Sequence, residues 1–350
     1  MLPLLDQLRD ALPGWLAERS LPAFRAAQIR KWLLEKRAAD FNAMSDLPKG
    51  LRTALAEDFQ LWTMHIVRHL QSSDGTEKLL LQTGDGHRIE CVLLRDGPRR
   101  TICISSQVGC AMGCVFCASG LDGVERNLST GEIVEQMLQL ARLLPPEERL
   151  SHIVVMGMGE PLANLGGLLP ALDLATSPDG LGISHRRITI STVGLPPAIR
   201  KLAELDCRFH LAVSLHAPDN ELRTRIVPTN KATGLHEILA AADHYFEVSG
   251  RRLTFEYVLL GGLNDRPEQA HALARLLRGR TALLNVIPYN PVAGLAYRTP
   301  SQRGREQFIQ ILEQGGLNVQ VRERKGDAIN AACGQLRRSE PALVQLNART

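Results

Sequence analysis

The sequence predicts an α/β protein whose larger part is a partial (βα)₆ barrel, preceded by a small helical accessory domain and a linking β-hairpin. From about residue 100 onwards, short runs rich in Val, Ile and Leu alternate with amphipathic stretches. Such runs are typical of parallel strands that helices cover. The first 60 residues or so instead carry apolar side chains at helical spacing, and an Asp-Gly turn signal separates the two patterns.

The N-terminal helices and the hairpin are predicted from local patterns. In "SLPAFRAAQIRKWLLEKR", apolar residues recur at roughly helical intervals and basic residues occupy the other face. Further along, two apolar runs in "TEKLLLQTGDGHRIECVLL" flank Asp85-Gly86, which suits a tight hairpin turn. We therefore predict a helical domain with the hairpin over residues 1–88, and a core domain over residues 89–350.

Six apolar runs are predicted to be the barrel strands, and a further run follows late in the chain. Amphipathic helices are predicted between them. The six runs are residues 101–105, 152–156, 187–191, 210–214, 253–260 and 282–287, and the late run is 317–323. Function in such a barrel is expected at the carboxyl ends of the strands.

Three cysteines follow the first predicted strand, in "CAMGCVFC". Cys110, Cys114 and Cys117 are soft ligands of the kind that select iron–sulfur clusters, zinc or copper(I). A [4Fe–4S] cluster usually takes four cysteines, so three would leave one iron open to a ligand that is not protein. The alternative is a structural zinc site, which normally closes four ligands, with His87 or Cys103 as the fourth.

Polar and glycine residues follow several of the other predicted strands. "GMGEP" is not a dinucleotide-binding fingerprint, because Leu162 stands where a third glycine is required. Gly157 and Gly159 would instead let the backbone approach a ligand closely, with Glu160 or nearby backbone groups holding its amine. The other candidates at this face are Ser191, Ser214, Leu215, His216 and Asn290.

Two further cysteines are candidates for covalent chemistry. Cys333 lies among small residues in "GDAINAACGQL", where little apolar packing explains it, so reactivity is the stronger reason for its presence. Cys103 lies seven residues before Cys110, and its alternative role is that of a small buried apolar residue. Cys91 and Cys207 are assigned to packing.

Composition limits the classes of protein to be considered. The net charge of +4 permits a nucleic-acid partner, and the 4% aromatic content favours phosphate contacts over stacked aromatic platforms. The first residues lack the basic and apolar regions of a signal peptide, and no run approaches the ~20 apolar residues of a membrane span. Seven cysteines, an odd number in a large chain, argue against a disulfide framework and suit a reducing cytoplasm.

Taken together, these segments resemble the RlmN/Cfr family of radical S-adenosylmethionine (radical SAM) RNA methyltransferases over nearly the whole chain. The most specific are "ICISSQVGCAMGCVFCASG", "VVMGMGEPLAN", "ITISTVG", "FEYVLLGGLND" and "GDAINAACGQL". The resemblance implies a radical SAM barrel with an RNA-binding accessory domain. It also implies a [4Fe–4S] cluster on the three cysteines, whose free iron binds SAM, and two SAM molecules per turnover. The matching SAM contacts are Gly159, Glu160, Ser191, Ser214, Leu215, His216 and Asn290.

The resemblance also implies a reaction and its catalytic residues. The RlmN branch methylates C2 of an adenine in 23S rRNA. Cys333 would carry the methyl group, Glu90 would accept the ring proton, and Cys103 would release a transient protein–RNA adduct by forming a disulfide with Cys333. Two alternatives stay open: C8 methylation, the Cfr type that confers antibiotic resistance, and a non-catalytic zinc-containing RNA-binding protein. Whether tRNA is a second substrate is also open.

The expected partners follow from the same resemblance. They are the RNA and a reductant such as flavodoxin or ferredoxin, with the chain a cytoplasmic monomer that does not engage a membrane. The candidate phosphate contacts of the accessory domain are Arg25, Arg30, Lys31 and Lys36. The chain departs from the usual family pattern at Val124, where many members have an aromatic residue after the glycine.

Overall fold

A ten-stranded mixed sheet organises the fold of this computed structural model, which describes residues 1–9, 11–205, 208–322 and 325–337. The strands are β1 (Leu2–Pro3), β2 (Phe59–Gln60), β3 (His65–Gln71), β4 (Glu77–Gln82), β5 (Arg88–Asp96), β6 (Arg99–Cys103), β7 (Gln107–Gly109), β8 (Val124–Asn127), β9 (His152–Val155), β10 (Ile188–Thr192), β11 (His210–Ser214), β12 (Leu253–Leu259), β13 (Ala282–Pro288) and β14 (Asn318–Val321). The helices are α1 (Leu4–Gln7), α2 (Ala11–Glu18), α3 (Phe24–Leu34), α4 (Lys49–Asp58), α5 (Thr130–Ala141), α6 (Leu165–Thr176), α7 (Pro196–Glu204), α8 (Asn220–Ile226), α9 (Leu235–Ser249), α10 (Pro267–Leu277) and α11 (Gln302–Gln314).

The barrel strands are parallel neighbours in chain order. The sheet runs β14-β13-β12-β11-β10-β9-β6-β5-β4-β3, and the pairs from β6 through β9 to β14 are parallel. At least one helix separates each barrel strand from the next, which brings all carboxyl ends to one face. The predicted α/β barrel is confirmed, and the late run forms β14, which ends at Val321. Glu323, the last residue of that predicted run, lies outside the described residues.

The predicted hairpin is present between the N-terminal helices and the barrel, and its strands extend the barrel sheet. β4 and β5 pair antiparallel around a turn in which Gly86 has φ +88°. β5 also pairs antiparallel with the first barrel strand, so that Val92 lies opposite Cys103. The division at residues 88 and 89 stays a prediction; it falls where β5 begins, inside this continuous sheet.

β3 forms one edge of the sheet and contains a bulge. Ile66 pairs with Leu81 and Arg68 pairs with Leu80, so Val67 has no partner in the register. Ile66 and Val67 are both exposed. The irregularity therefore lies on the strand that has no neighbour on its outer side in the described sheet.

The N-terminal helices share one apolar core with the barrel. Buried leucines of α1 to α4 and buried residues of the barrel strands and their covering helices belong to one contiguous cluster. Polar contacts fix the same interface at α5. Asp6 Oδ1 accepts a hydrogen bond from the Gly131 amide at 2.5 Å, and Glu135 accepts from the Thr63 and Met64 amides at 2.8 and 2.9 Å. In the described part of the chain, no helix is both long enough and apolar enough to span a bilayer.

Candidate active site at the carboxyl ends of the barrel strands

The loop with the three clustered cysteines is closed at its base by β7 and β8. These strands pair antiparallel, and the Cys110 amide donates to the Gly123 carbonyl at 2.9 Å. Gly109, in the left-handed region at φ +78°, has no room for a side chain, because a Cβ there would lie 2.0 Å from the Gly123 oxygen. This glycine lets the two ends of the loop meet.

Cys110, Cys114 and Cys117 line one cavity of about 140 Å³. Burial, with a smaller contribution from neighbouring sulfurs, raises the pKa of all three thiols, to about 12 at Cys110. Thiols in such surroundings become thiolates when a metal displaces their protons. Within the described ranges, no three Cys, His, Asp or Glu side chains converge on the position of a single metal ion. Three soft thiolates on one wall nevertheless fit an iron–sulfur cluster, because each binds a different iron.

Another part of the wall of this first cavity presents polar groups that have no hydrogen-bond partner among the described residues. They are Glu256 Oε2 and Asn290 Oδ1, both buried. A buried acceptor without a donor costs free energy, so these atoms suit a ligand with amine and hydroxyl donors. The chemistry of SAM fits this wall. Six of the predicted SAM contacts line the cavity: Gly159, Glu160, Ser191, Ser214, His216 and Asn290.

Glu160 is bonded within the protein through both carboxylate oxygens. Oε1 accepts from the Leu162 amide at 3.0 Å, and Oε2 accepts from the Val193 amide at 2.9 Å. Burial raises the pKa of this carboxyl group. Glu160 therefore ties the loop after β9 to the loop after β10, while Gly159 reaches the cavity at φ +107°.

Leu215 and His216 take different positions at the end of β11. The Leu215 side chain is fully buried in the core, and it is not among the residues that line the cavity. His216 does line it; its Nδ1 accepts from the Val258 amide at 3.1 Å, and its ring packs edge-on against Phe116. Burial lowers the pKa of His216 to about 3, so the imidazole is neutral at pH 7.

A second cavity of about 460 Å³ adjoins the first. Cys103, at the end of β6, lines only this second cavity, whereas Cys333, Asn290 and Arg322 line both. The Asn290 amide donates to the Cys333 carbonyl at 3.1 Å. The structure therefore places Cys333 on the lining shared by the two cavities, to which the cluster cysteine Cys117 also contributes.

Glu90 lies on β5 and does not itself line either cavity, although Val92, two residues along the same strand, lines the second. Its Oε1 is 2.9 Å from Lys78 Nζ, and its Oε2 accepts from the Arg337 amide at 3.0 Å. Burial raises the pKa of Glu90, although Lys78 opposes that shift. His87, the other candidate fourth ligand of zinc, lies beside the hairpin turn, where its carbonyl accepts from the Thr83 amide.

Two arginines at this site were not predicted as site residues from the sequence. Arg223 is fully buried and donates to the carbonyls of Leu215, Ser214 and Val193. Arg322, on the wall shared by the cavities, lies 3.9 Å from Glu256 Oε2. Each contact depends on the tertiary fold, and no local motif contains it.

The candidate phosphate contacts of the N-terminal helices all have partners within the chain. Arg30 pairs with Asp179 at 2.7 Å, and Lys36 pairs with Asp46 at 3.6 Å. The others are Arg25 with Gln28 and Lys31 with Glu35. An RNA phosphate would have to replace or share these contacts.

Comparison with known proteins assigns the family. Residues 104–274 match the model of the radical SAM superfamily, and residues 2–61 match the N-terminal domain of ribosomal RNA large subunit methyltransferases. A probable dual-specificity RNA methyltransferase RlmN from Rhodopirellula baltica is 63% identical over 335 residues, covering 96% of this chain and 89% of the relative.

The chain belongs to the RlmN family of radical SAM RNA methyltransferases. A second RlmN relative, from Moorella thermoacetica, is 46% identical over 94% of this chain and 96% of its own length. A crystal structure of a radical SAM methyltransferase from Sphaerobacter thermophilus superposes with a TM-score of 0.93 at 43% identity, covering 97% of this chain and all of that one. The predicted RlmN/Cfr resemblance is thus confirmed, and radical SAM membership implies a [4Fe–4S] cluster and SAM as cofactors.

Proposed function

We propose that this RlmN-family chain methylates C2 of an adenine in 23S rRNA, and of an adenine in tRNA, by way of a methylated Cys333. The position of Cys333 carries the proposal. It lines both the cavity of the cluster cysteines and the cavity of Cys103, so a methyl group carried on this residue would lie where the two cavities meet. Both relatives are named as probable dual-specificity RNA methyltransferases, which supports RNA as the substrate.

The cofactor proposal assigns each wall of the first cavity. Cys110, Cys114 and Cys117 would hold the [4Fe–4S] cluster and leave its fourth iron to SAM. When bound, the cluster and SAM supply a carbon radical by reductive cleavage of the cofactor. The polar residues that line the cavity would hold SAM. Leu215 would act by positioning the end of β11, because its amide donates to the Glu256 carbonyl at 3.0 Å.

Covalent chemistry on the protein would overcome the low reactivity of adenine C2 towards the methyl group of SAM. Adenine C2 has no nucleophilic lone pair, so it cannot attack a SAM methyl group directly. In the proposed sequence the Cys333 thiolate first takes a methyl group from one SAM. Removal of a hydrogen atom from this S-methyl group lets its carbon join the adenine ring, which links RNA to protein. The covalent intermediate divides one difficult substitution into feasible steps.

Release requires a base and a second thiol. Glu90 would accept the ring proton. The Cys103 thiolate would attack the sulfur of Cys333, so that the S–S bond forms as the bond from this sulfur to the methylene carbon breaks and the carbon takes up a proton to become the methyl group. The unpaired electron left by the radical addition would pass to a one-electron carrier of the flavodoxin or ferredoxin class, which would also reduce the Cys103–Cys333 disulfide for the next turnover. Burial raises the pKa of Cys103 to about 12, and the nearby Arg322 guanidinium opposes that shift. The arginine therefore favours the thiolate that this step consumes.

The first test detects the covalent intermediate between the protein and RNA. With Cys103→Ala, RNA should remain covalently bound to the enzyme, because no thiol releases it; a gel-shifted, protease-sensitive RNA band is the readout. Cys91→Ala removes a buried thiol from the neighbouring strand and should release methylated RNA normally. Free methylated RNA at the normal rate from Cys103→Ala would contradict the mechanism.

The second test separates the methyl carrier from the cluster. Cys333→Ala should abolish methylation while the anaerobically purified protein keeps its iron, sulfide and colour. Loss of iron from that variant would place Cys333 among the ligands. A colourless wild-type protein that holds one zinc would instead favour the RNA-binding alternative.

Mass mapping of the modified adenine decides the regiochemistry. The expected product is 2-methyladenosine in 23S rRNA and in tRNA, and 8-methyladenosine alone would replace this proposal with the Cfr-type reaction.

We also propose a flavodoxin or ferredoxin as the electron donor and a monomer as the oligomeric state. We propose the cytoplasm as the location, because a reduced cluster and free thiols need reducing surroundings. Residues 1–88 would contribute the RNA-binding surface.

A further inference from the structure

The segment that contains Cys333, residues 325–337, lies along the antiparallel strands of the sheet and their connecting turn. We call it the Cys333 segment. Its first contacts are the Gly326 amide, which donates to Asp74 Oδ2 at 2.8 Å, and Lys325, which pairs with Asp96 at 2.9 Å. Most of the segment is irregular. Some of its backbone amides bond within the segment, as Ala331 does to the Gly326 carbonyl at 2.9 Å, and its other backbone polar groups depend on partners outside it.

Two of those partners are the members of one buried ion pair. Lys78 Nζ on β4 is 2.9 Å from Glu90 Oε1 on β5, and the two side chains are 6% and 9% exposed. Lys78 Nζ also donates to the Asn330 carbonyl at 3.0 Å, and Glu90 Oε2 accepts from the Arg337 amide at 3.0 Å. The pair therefore bonds the segment on both sides of Cys333.

Fold stability alone does not account for this pair. Removing two charges from water costs about as much as their attraction returns, so apolar residues in their place are often neutral or stabilising. The register of β4 and β5 has its own backbone ladder, in which Leu80 lies opposite Glu90. What the pair adds is a donor and an acceptor for backbone groups of the Cys333 segment.

We propose that Lys78 is a positioning residue which, together with Glu90, holds the Cys333 segment so that the Cys333 thiol stays on the wall shared by the two cavities. The inference rests on the proposed function only for the chemical role of Cys333. The docking itself follows from the contacts. Glu90 thereby has a structural role before any proton transfer, because both of its carboxylate oxygens bond groups of the protein.

Hydrogen–deuterium exchange of the full chain tests the docking without needing turnover. In Lys78→Met, which has no donor for the Asn330 carbonyl, peptides within residues 325–337 should exchange roughly tenfold faster or more, while peptides from the barrel strands keep their rates. Lys78→Arg retains charge and donors and should restore most of the protection. Arg280→Met, which breaks the ion pair with Asp243 away from the site, should leave the segment unchanged.

A double variant separates positioning from a general structural role. Lys78→Met with Glu90→Leu leaves no uncompensated buried charge, so its melting temperature should return towards the wild-type value. Exchange of the Cys333 segment near Asn330 and Arg337 should nevertheless stay fast, because both bonds from this ion pair to its backbone are gone. If Lys78→Met alone does not fold, the exchange rates of the double variant are compared with those of the wild type instead. Wild-type protection of residues 325–337 in the double variant would overturn the proposal.

The methylation state of Cys333 supplies an independent readout. Intact mass of the protein after expression with SAM should show a methyl group on most wild-type chains and at most about a tenth of that in Lys78→Met. Equal methylation in the two proteins would count against positioning. A wild-type chain that is never methylated on Cys333 would contradict the proposed function, and the exchange comparison would still decide the docking.

Discussion

Arg223 shows how one side chain can shape several loops at this site. Its guanidinium donates to carbonyls at the end of β11 and in the loop after β10, and to Asn230 Oδ1 at 2.7 Å. Burial lowers its pKa to about 10, so the group stays charged at pH 7. Charged hydrogen bonds contribute about 1.5–3 kcal/mol each. Arg223 thereby fixes the backbone from which Ser214 and His216 reach the first cavity.

The buried His216 should make the stability of the protein depend on pH. Its pKa is about 3 in the folded chain, whereas an unfolded histidine binds its proton near pH 6.5. The unfolded state therefore binds more protons between these values, and stability falls as the pH drops below about 6.5. We expect this residue alone to remove about 1.4 kcal/mol of unfolding free energy at pH 5.5.

Urea unfolding of His216→Asn at pH 7.5 and 5.5 measures that contribution. Asparagine tolerates the left-handed backbone at φ +60°, and its side-chain oxygen can accept from the Val258 amide. The variant should lose less stability on acidification than the wild type. His236→Asn, at an exposed position, should behave like the wild type. Equal acid sensitivity of all three proteins would contradict the assignment.

At the scale of elements, the loop after β9 depends on a glycine that nothing larger can replace. Gly159 has φ +107°, and a Cβ there would lie 2.7 Å from both Gln107 Cβ and Ser106 Oγ. Backbone strain of this kind costs about 1–3 kcal/mol. Because this loop and the loop after β10 are tied through Glu160, a shift at Gly159 would reach both.

Gly159→Ala should therefore weaken SAM binding by at least about tenfold, as measured by equilibrium dialysis on reconstituted protein, and should lower the unfolding free energy by about 1–3 kcal/mol. Gly166→Ala is the matched control in the next helix, α6, where a Cβ meets nothing within 4 Å. That change should stabilise the protein by about 0.5–1 kcal/mol and leave SAM binding intact. Unchanged SAM affinity in Gly159→Ala would show that the loop adapts.

For the molecule as a whole, the shared core predicts one unfolding transition. All three tryptophans, Trp15, Trp32 and Trp62, lie in the first 62 residues, so their fluorescence reports the N-terminal part alone. Far-UV circular dichroism reports every helix. Because one apolar cluster joins the two parts, both signals should change at the same urea concentration. A tryptophan transition at clearly lower urea would show that the N-terminal part unfolds separately.

Local patterns predicted most of this architecture. The barrel strands are apolar runs with helices between them, and β10 and β11 begin and end within a residue of the predicted bounds. The three clustered cysteines form a sequence motif, so a metal site at this loop could also be predicted from the sequence. The pairing of β5 with β6 was not predicted, because the pattern of β5 indicates only a hairpin with β4, and that of β6 only a barrel strand.

Contacts between distant parts of the chain could not be predicted in this way. Lys78 and Asn330 are 252 residues apart, and only the folded sheet brings them together. In the sequence, Lys78 is an ordinary charged residue at the edge of an apolar run, and its neighbours do not indicate this contact. The roles of the site residues remain predictions drawn from the resemblance, whereas their shared location follows from the parallel order of the strands.

The bulge in β3 has a consequence for association between molecules. A bare sheet edge with two exposed aliphatic side chains offers a template to which an extended segment of a neighbouring chain can add. Continuous addition needs evenly spaced donors and acceptors, and the extra residue at Val67 breaks that spacing and twists the strand. Concentrated preparations should consequently resist edge-to-edge stacking, even though Ile66 and Val67 face water.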